Sequence, residues 1–202
     1  RVIDRTIFEP HLLTLLPEKG ATLENKLSLS EKEKTTIPFS SLGNIVAWIR
    51  LIRFLRREHF DVIITSLFLA NVVLRIAGYF SPKTALISYE HNLYPDKKSW
   101  QILIDRILSR RTSVIIVDAE SVRKFTAIQE SIPIQKFKLL YHPPLIFESP
   151  ASSRDELCEK LGIPSGARII LTVSRLVEEK GHRYLIEAAE KVVHEINDAY
   201  LF

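Results

Sequence analysis

Two cations five positions apart give this chain its clearest capacity for chemistry. Arg175 and Lys180 stand in the string Val173-Ser174-Arg175-Leu176-Val177-Glu178-Glu179-Lys180-Gly181-His182, between an apolar run and an amphipathic segment. A strand ending near Ser174 leaves both side chains in a loop at its carboxyl end, with Gly181 ahead of a helix N-terminus. Open α/β sheets bind ligands at that edge. Cations beside exposed helix amides suit a diphosphate. The spacing equally allows Arg175 and Lys180 to form plain surface pairs with Glu178 and Glu179. Other signatures do not occur: there is no Gly-x-Gly-x-x-Gly, no Walker phosphate loop and no Gly-x-Ser-x-Gly. No Asp-x-Asp pair offers to hold a divalent cation beside a nucleotide, and the six histidines include no closely spaced pair. The single cysteine, Cys158, excludes an internal disulfide and a Cys-rich zinc site. Phosphate, if handled here, falls to cationic side chains and backbone amides.

Such a loop needs a sheet behind it. Short apolar, β-branched runs at 12–16, 62–65, 85–88, 114–117, 138–141 and 169–173 predict strands, with the start of another at 199–202. Between them lie segments of helical period. Trp100, Leu103, Ile104, Ile107 and Leu108 fall on one face, as do Leu185, Ala188, Ala189, Val192 and Val193. Strands apolar on both sides, separated by amphipathic helices, imply a parallel sheet covered on both faces, a doubly wound α/β plan. The stretch between Asp61 and Lys83 carries one charge, Arg75, and is close to the ~20 residues of a membrane span. Arg75, Asn71, Thr65 and Ser66 would be costly in lipid. A strand at 62–65 and a helix over about 68–77 explain the same letters.

His142-Pro143-Pro144 and Ser149-Pro150-Ala151-Ser152-Ser153 break regular structure and mark a boundary near 142–153. Charge divides there too. Residues 1–148 hold 21 Lys and Arg against 15 Asp and Glu, a net +6, whereas residues 149–202 hold 7 against 9, a net −2. In the basic part, residues 45–57 form a helix with an apolar arc of Ile45, Trp48, Ile49, Leu51, Ile52, Phe54 and Leu55. Arg50, Arg53 and Arg57 make a ridge opposite. Such a helix either flanks the sheet or rests on anionic lipid, the first being favoured. Aromatic residues do not interleave with basic ones as in single-strand binders, which argues against nucleic acid.

Val173-Ser174-Arg175-Leu176, Glu179-Lys180-Gly181-His182 and Leu185-Ile186-Glu187-Ala188 together resemble the opening of the donor-binding domain of family-four glycosyltransferases, which have the GT-B fold. Residues 155–162 look like that domain's opening helix and 137–144 like the inter-domain linker. Asp61-Val62-Ile63-Ile64-Thr65 is similar to the family's D-V-I-H strand, and 114–121 to its I-V-S strand and turn. The resemblance spans about residues 10–202. It implies a Rossmann-like acceptor-side domain over 1–148, incomplete at its N-terminus, and the truncated beginning of a donor domain over 149–202. By the same resemblance Arg175 and Lys180 contact the donor diphosphate. His91, in Ser88-Tyr89-Glu90-His91-Asn92, is the catalytic-site histidine facing the transferred sugar. Ser174 stands where the family often has glycine, and His142 where asparagine often precedes proline. The family's glycine-rich loop is expected before Arg1, and its paired glutamates beyond Phe202. Glu179, Glu187 and Glu195 share the eight-residue step, but one helix face produces that step anyway.

The activity so implied is a retaining, metal-independent hexosyltransferase. It takes a UDP- or GDP-linked sugar as substrate, uses no cofactor, and serves a glycan, lipid-linked or other cell-envelope acceptor. The piece alone is expected to be inactive. Its expected place is the cytoplasm, peripheral on the membrane face through Arg50, Arg53 and Arg57. The rival reading is a non-catalytic basic α/β module that binds an anionic membrane surface.

Overall fold

A computed structural model describes residues 3–16, 29–141 and 152–202. The chain divides into two compact units, Arg1–Pro143 and Pro144–Phe202. His142, the two prolines after it and the 149–151 string lie outside the described residues.

In the first unit β1 (Leu12–Thr14) pairs in parallel with β2 (Lys34–Thr36). Helix α1 (Ile45–Glu58) follows, begun by Asn44, whose side chain accepts the Ala47 N–H at 3.1 Å. A four-stranded parallel sheet comes next, in the order β3 (Val62–Ser66), β4 (Ala85–Glu90), β5 (Val114–Val117) and β6 (Phe137–Leu139). It is crossed by α2 (Phe68–Ala77), α3 (Ser99–Ser109) and α4 (Glu120–Glu130). Register aligns Ile63 with Leu86, Ser88 with Ile115, and Ile115 with Phe137 on one face. That face makes the core. Ile63 and Leu86 pack with Leu51, Phe54, Leu55, Val73 and Leu74, and Ile115, Val117 and Phe137 pack with Val122 and Ala127. The opposite face carries Val62, Ile64, Ile87, Val114 and Ile116, none of them buried. The sequence predicted cover on both faces. Sequential strand order with right-handed crossovers returns each helix to the same side, which leaves the second face to other elements.

The charge-poor stretch resolves as β3 and α2, and no helix of the described residues is long and apolar enough to cross a membrane. Arg75 is fully buried, with Nε donating to the Asn71 carbonyl at 2.8 Å and the guanidinium paired with Asp105 of α3. That pairing sets the rotation of α3. Asp105, Leu108 and Ser109 turn inward, while Trp100, Leu103 and Ile107, expected on the packed face, stand about half exposed. α1 departs in a smaller way: Leu51, Phe54 and Leu55 are buried, but Ile45, Val46 and Ile49 face solvent with Arg50, Arg53 and Arg57.

In the second unit α5 (Arg154–Leu161) starts at Ser153, whose hydroxyl accepts the Glu156 N–H, and ends at Gly162 in the left-handed region. β7 (Arg168–Ile170) pairs in parallel with β8 (Ala199–Leu201) across α6 (His182–Glu195). β7 is shorter than the 169–173 run predicts, and Leu171 and Val173 are exposed rather than buried. Among the described residues β7 has β8 as its one neighbour strand, and no residue of α6 is fully buried.

Candidate functional site

Parallel register brings polar residues from three strand ends of the first unit to one edge. Ser66 closes β3, His91 follows β4, and Asp118 follows β5. His91 Nε2 lies 2.9 Å from the Ser66 hydroxyl, and Nδ1 lies 3.9 Å from an Asp118 carboxylate oxygen. The Tyr89 ring sits against the imidazole with centroids 4.0 Å apart. A carboxylate facing Nδ1 favours the proton on that nitrogen, leaving Nε2 to accept the Ser66 O–H. Sequence reasoning found His91 but not Ser66 or Asp118. The available signal was their place at the carboxyl ends of short apolar runs, the ligand edge of a parallel sheet.

The turn beside Ser66 is strained. Leu67 has φ 71° and ψ 151°, a region that is essentially glycine's own and costs another residue about 1–3 kcal/mol. A buried brace holds it there: the Thr65 hydroxyl donates to Asn71 Oδ1 at 2.6 Å, and Asn71 Nδ2 donates to Glu90 at 2.9 Å.

Below that edge lies an ionic cluster absent from the sequence reading. Asp105 accepts from Arg75 and, at 2.8 Å, from Lys97; Lys97 also pairs with Glu130. With Glu90 close by, two cations face three carboxylates away from water. Burial pushes the Glu90 carboxyl up, and the Asp105 charge adds to the rise against Lys97. Burial likewise lifts Glu130 to about 7, reinforced by Asp105 and opposed by Lys97. For Lys97 burial pulls downward, but Glu90, Asp105 and Glu130 outweigh it and hold the ammonium charged. Folded Glu130 therefore keeps its proton to a higher pH than in the unfolded chain. Between about pH 4.5 and about 7 the folded state binds more protons, so stability falls as pH rises through that window. Glu130→Gln should remove up to about 3 kcal/mol of that decline. Thermal unfolding at pH 5 and pH 7.5 checks it, and an unchanged slope in the variant contradicts it.

In the second unit Gly181 (φ 66°) turns the chain into α6, and His182 folds back, its Nε2 2.9 Å from the Arg175 carbonyl and 3.1 Å from the Ser174 hydroxyl. The Arg175 guanidinium donates to Glu179 at 2.6 Å, with side chains 72% and 58% exposed. Lys180 is exposed and has no ion pair among the described residues. An exposed pair of this kind is worth only ~0.2–1 kcal/mol, so the Arg175 guanidinium is held weakly. An open hollow of about 310 Å³ lies alongside, lined by Leu176, Val177, Glu178, Gly181, His182, Arg183 and Tyr184, and neither cation lines it.

No protein-family model matches this chain, and no curated protein matches it. Solved structures do. A glycosyltransferase from Rickettsia africae superposes with a TM-score of 0.67 at 19% identity, over 92% of this chain and 49% of its own. Anabaena HepE in complex with UDP-glucose gives 0.66 at 19% identity, over 83% and 46%. HepE with UDP and glucose gives 0.64 at 19%, over 78% and 44%. The fold is that of the GT-B glycosyltransferases. This chain spans less than half the length of the structures it matches. Its described part is the Rossmann-like parallel sheet of the first unit and a β-α-β element in the second.

Proposed function

We propose that this chain is part of a retaining, metal-independent hexosyltransferase that uses a UDP-linked sugar. The observation that carries the reading is the His91 cluster at the carboxyl edge of a GT-B-type sheet. As the bond from the anomeric carbon to the diphosphate breaks, positive charge grows on the sugar and negative charge on the departing phosphate. Arg175 and Lys180 offset the second, the part a divalent ion plays elsewhere; such fixed charges lower a barrier by several kcal/mol. His91, its ring set by Ser66 and Asp118, positions the sugar on the acceptor side. In this reading residues 1–148 receive a glycan or lipid-linked acceptor, and residues 149–202 begin the donor domain. The donor is a substrate, and no cofactor is used.

The exposed Ile45, Val46 and Ile49 beside Arg50, Arg53 and Arg57 support peripheral contact with an anionic membrane at its cytoplasmic face. They also sustain the rival reading of a binding module. Full-length protein given UDP-glucose and a sugar acceptor decides between them. The proposal expects a product of unchanged anomeric configuration by NMR, and Arg→Glu at all three arginines should weaken vesicle binding about tenfold or more while sparing transfer. An inverted product overturns retention. Absent transfer, with vesicle binding lost in the triple variant, establishes the module instead.

A further inference from the structure

Leu67 keeps a backbone conformation that glycine would adopt freely, yet the residue is 68% exposed, so packing within its own unit returns little for the strain. The conformation is imposed. Leu67 follows Ser66, whose hydroxyl meets His91, and its carbonyl accepts the Asn71 N–H at 2.9 Å. The Thr65–Asn71–Glu90 brace closes around the turn, and Glu90 immediately precedes His91 in the chain. Phe68, the next residue, meets the half-exposed Trp100 edge to face at 5.9 Å. An exposed leucine and an exposed tryptophan therefore stand close to the His91 edge, on a turn whose rigidity serves no packing of its own.

We propose that Leu67 is a specificity-determining residue that contacts an apolar portion of the acceptor, hydrocarbon or aromatic, next to the hydroxyl that receives the sugar. Trp100 extends the same contact. The assignment rests on the transferase reading for the word acceptor, but the contact itself is one of binding. A leucine lent to an apolar ligand gains affinity in proportion to the area it covers. A glycine at 67 would relieve the backbone and lose that gain.

The test compares methyl and hexyl glucoside binding to the full-length protein by calorimetry, in wild type, Leu67→Gly and Leu67→Met. Wild type should prefer the hexyl ligand. Leu67→Gly should weaken hexyl glucoside about tenfold, leave methyl glucoside unchanged, and unfold at the same or a higher temperature, because glycine suits φ 71°. Leu67→Met should keep the preference. No hexyl preference in wild type, equal loss of both ligands in Leu67→Gly, or a lowered Tm in that variant overturns the proposal. Binding is read without turnover. A protein that holds hexyl glucoside through Leu67 yet leaves UDP-glucose intact overturns the transferase reading alone.

Discussion

Full-length protein carrying Arg175→Ala and Lys180→Ala should transfer sugar at least about 10³-fold more slowly than wild type, with each single change costing about 10²-fold. The size follows from where the charge develops. A cation that meets a diphosphate gains most at the moment the leaving oxygens take up the bonding electrons, and loss of one such donor typically costs about 10²–10³ in rate. In the resting structure Arg175 gives its guanidinium to Glu179. Glu179→Gln is therefore a revealing companion. If the pair merely stores the arginine, the variant should lower KM for the donor slightly and spare kcat. Steady-state kinetics on the five proteins read this directly. Wild-type turnover in the double variant would remove Arg175 and Lys180 from the mechanism.

Lys97→Met should produce the largest loss of stability in the first unit, about 3–5 kcal/mol, or a fall in Tm of about 10 °C. The ammonium is buried between Asp105 and Glu130, so its removal leaves carboxylates facing one another without water. Arg75 answers only part of that charge. Coupling with Glu130→Gln distinguishes this cause from lost packing. Well above pH 7, where Glu130 would otherwise have to ionise without its ammonium, the double variant should recover a large share of the loss; at pH 5 Glu130 carries its own proton and the recovery should be small. If Lys97→Met and the double variant unfold at the same temperature, the cluster does not act as a charge balance.

Features set by neighbouring residues were legible in the sequence, and those set by distant partners were not. α2 and β3 could be placed because a run with one charge ends at Gly78 and Pro82, a local signal. The Arg175–Lys180 motif is local as well, five positions in one loop. The rotation of α3 was not local. Its period marks Trp100, Leu103 and Ile107 for the core, but Asp105 is drawn inward by an arginine 30 positions earlier. No periodicity rule contains a partner that distant, and here a buried ion pair outweighed the apolar stripe. Ser66 and Asp118 were hidden for a related reason: they reach His91 only through the register of three parallel strands. The expected strand over 169–173 extended too far because a run of apolar letters does not say how many strands will lie beside it. The strain at Leu67 had no signature in the sequence, since a leucine does not signal positive φ.

The most direct test is equilibrium binding of UDP and of uridine to the full-length protein, before and after Arg175→Ala with Lys180→Ala. Wild type should bind UDP at least about 10²-fold more tightly than uridine, at roughly 1.4 kcal/mol per tenfold, and the double variant should lose nearly all of that preference while holding uridine as before. A wild type that does not distinguish the two ligands, or a double variant that still prefers UDP, would contradict the assignment of these cations to a diphosphate.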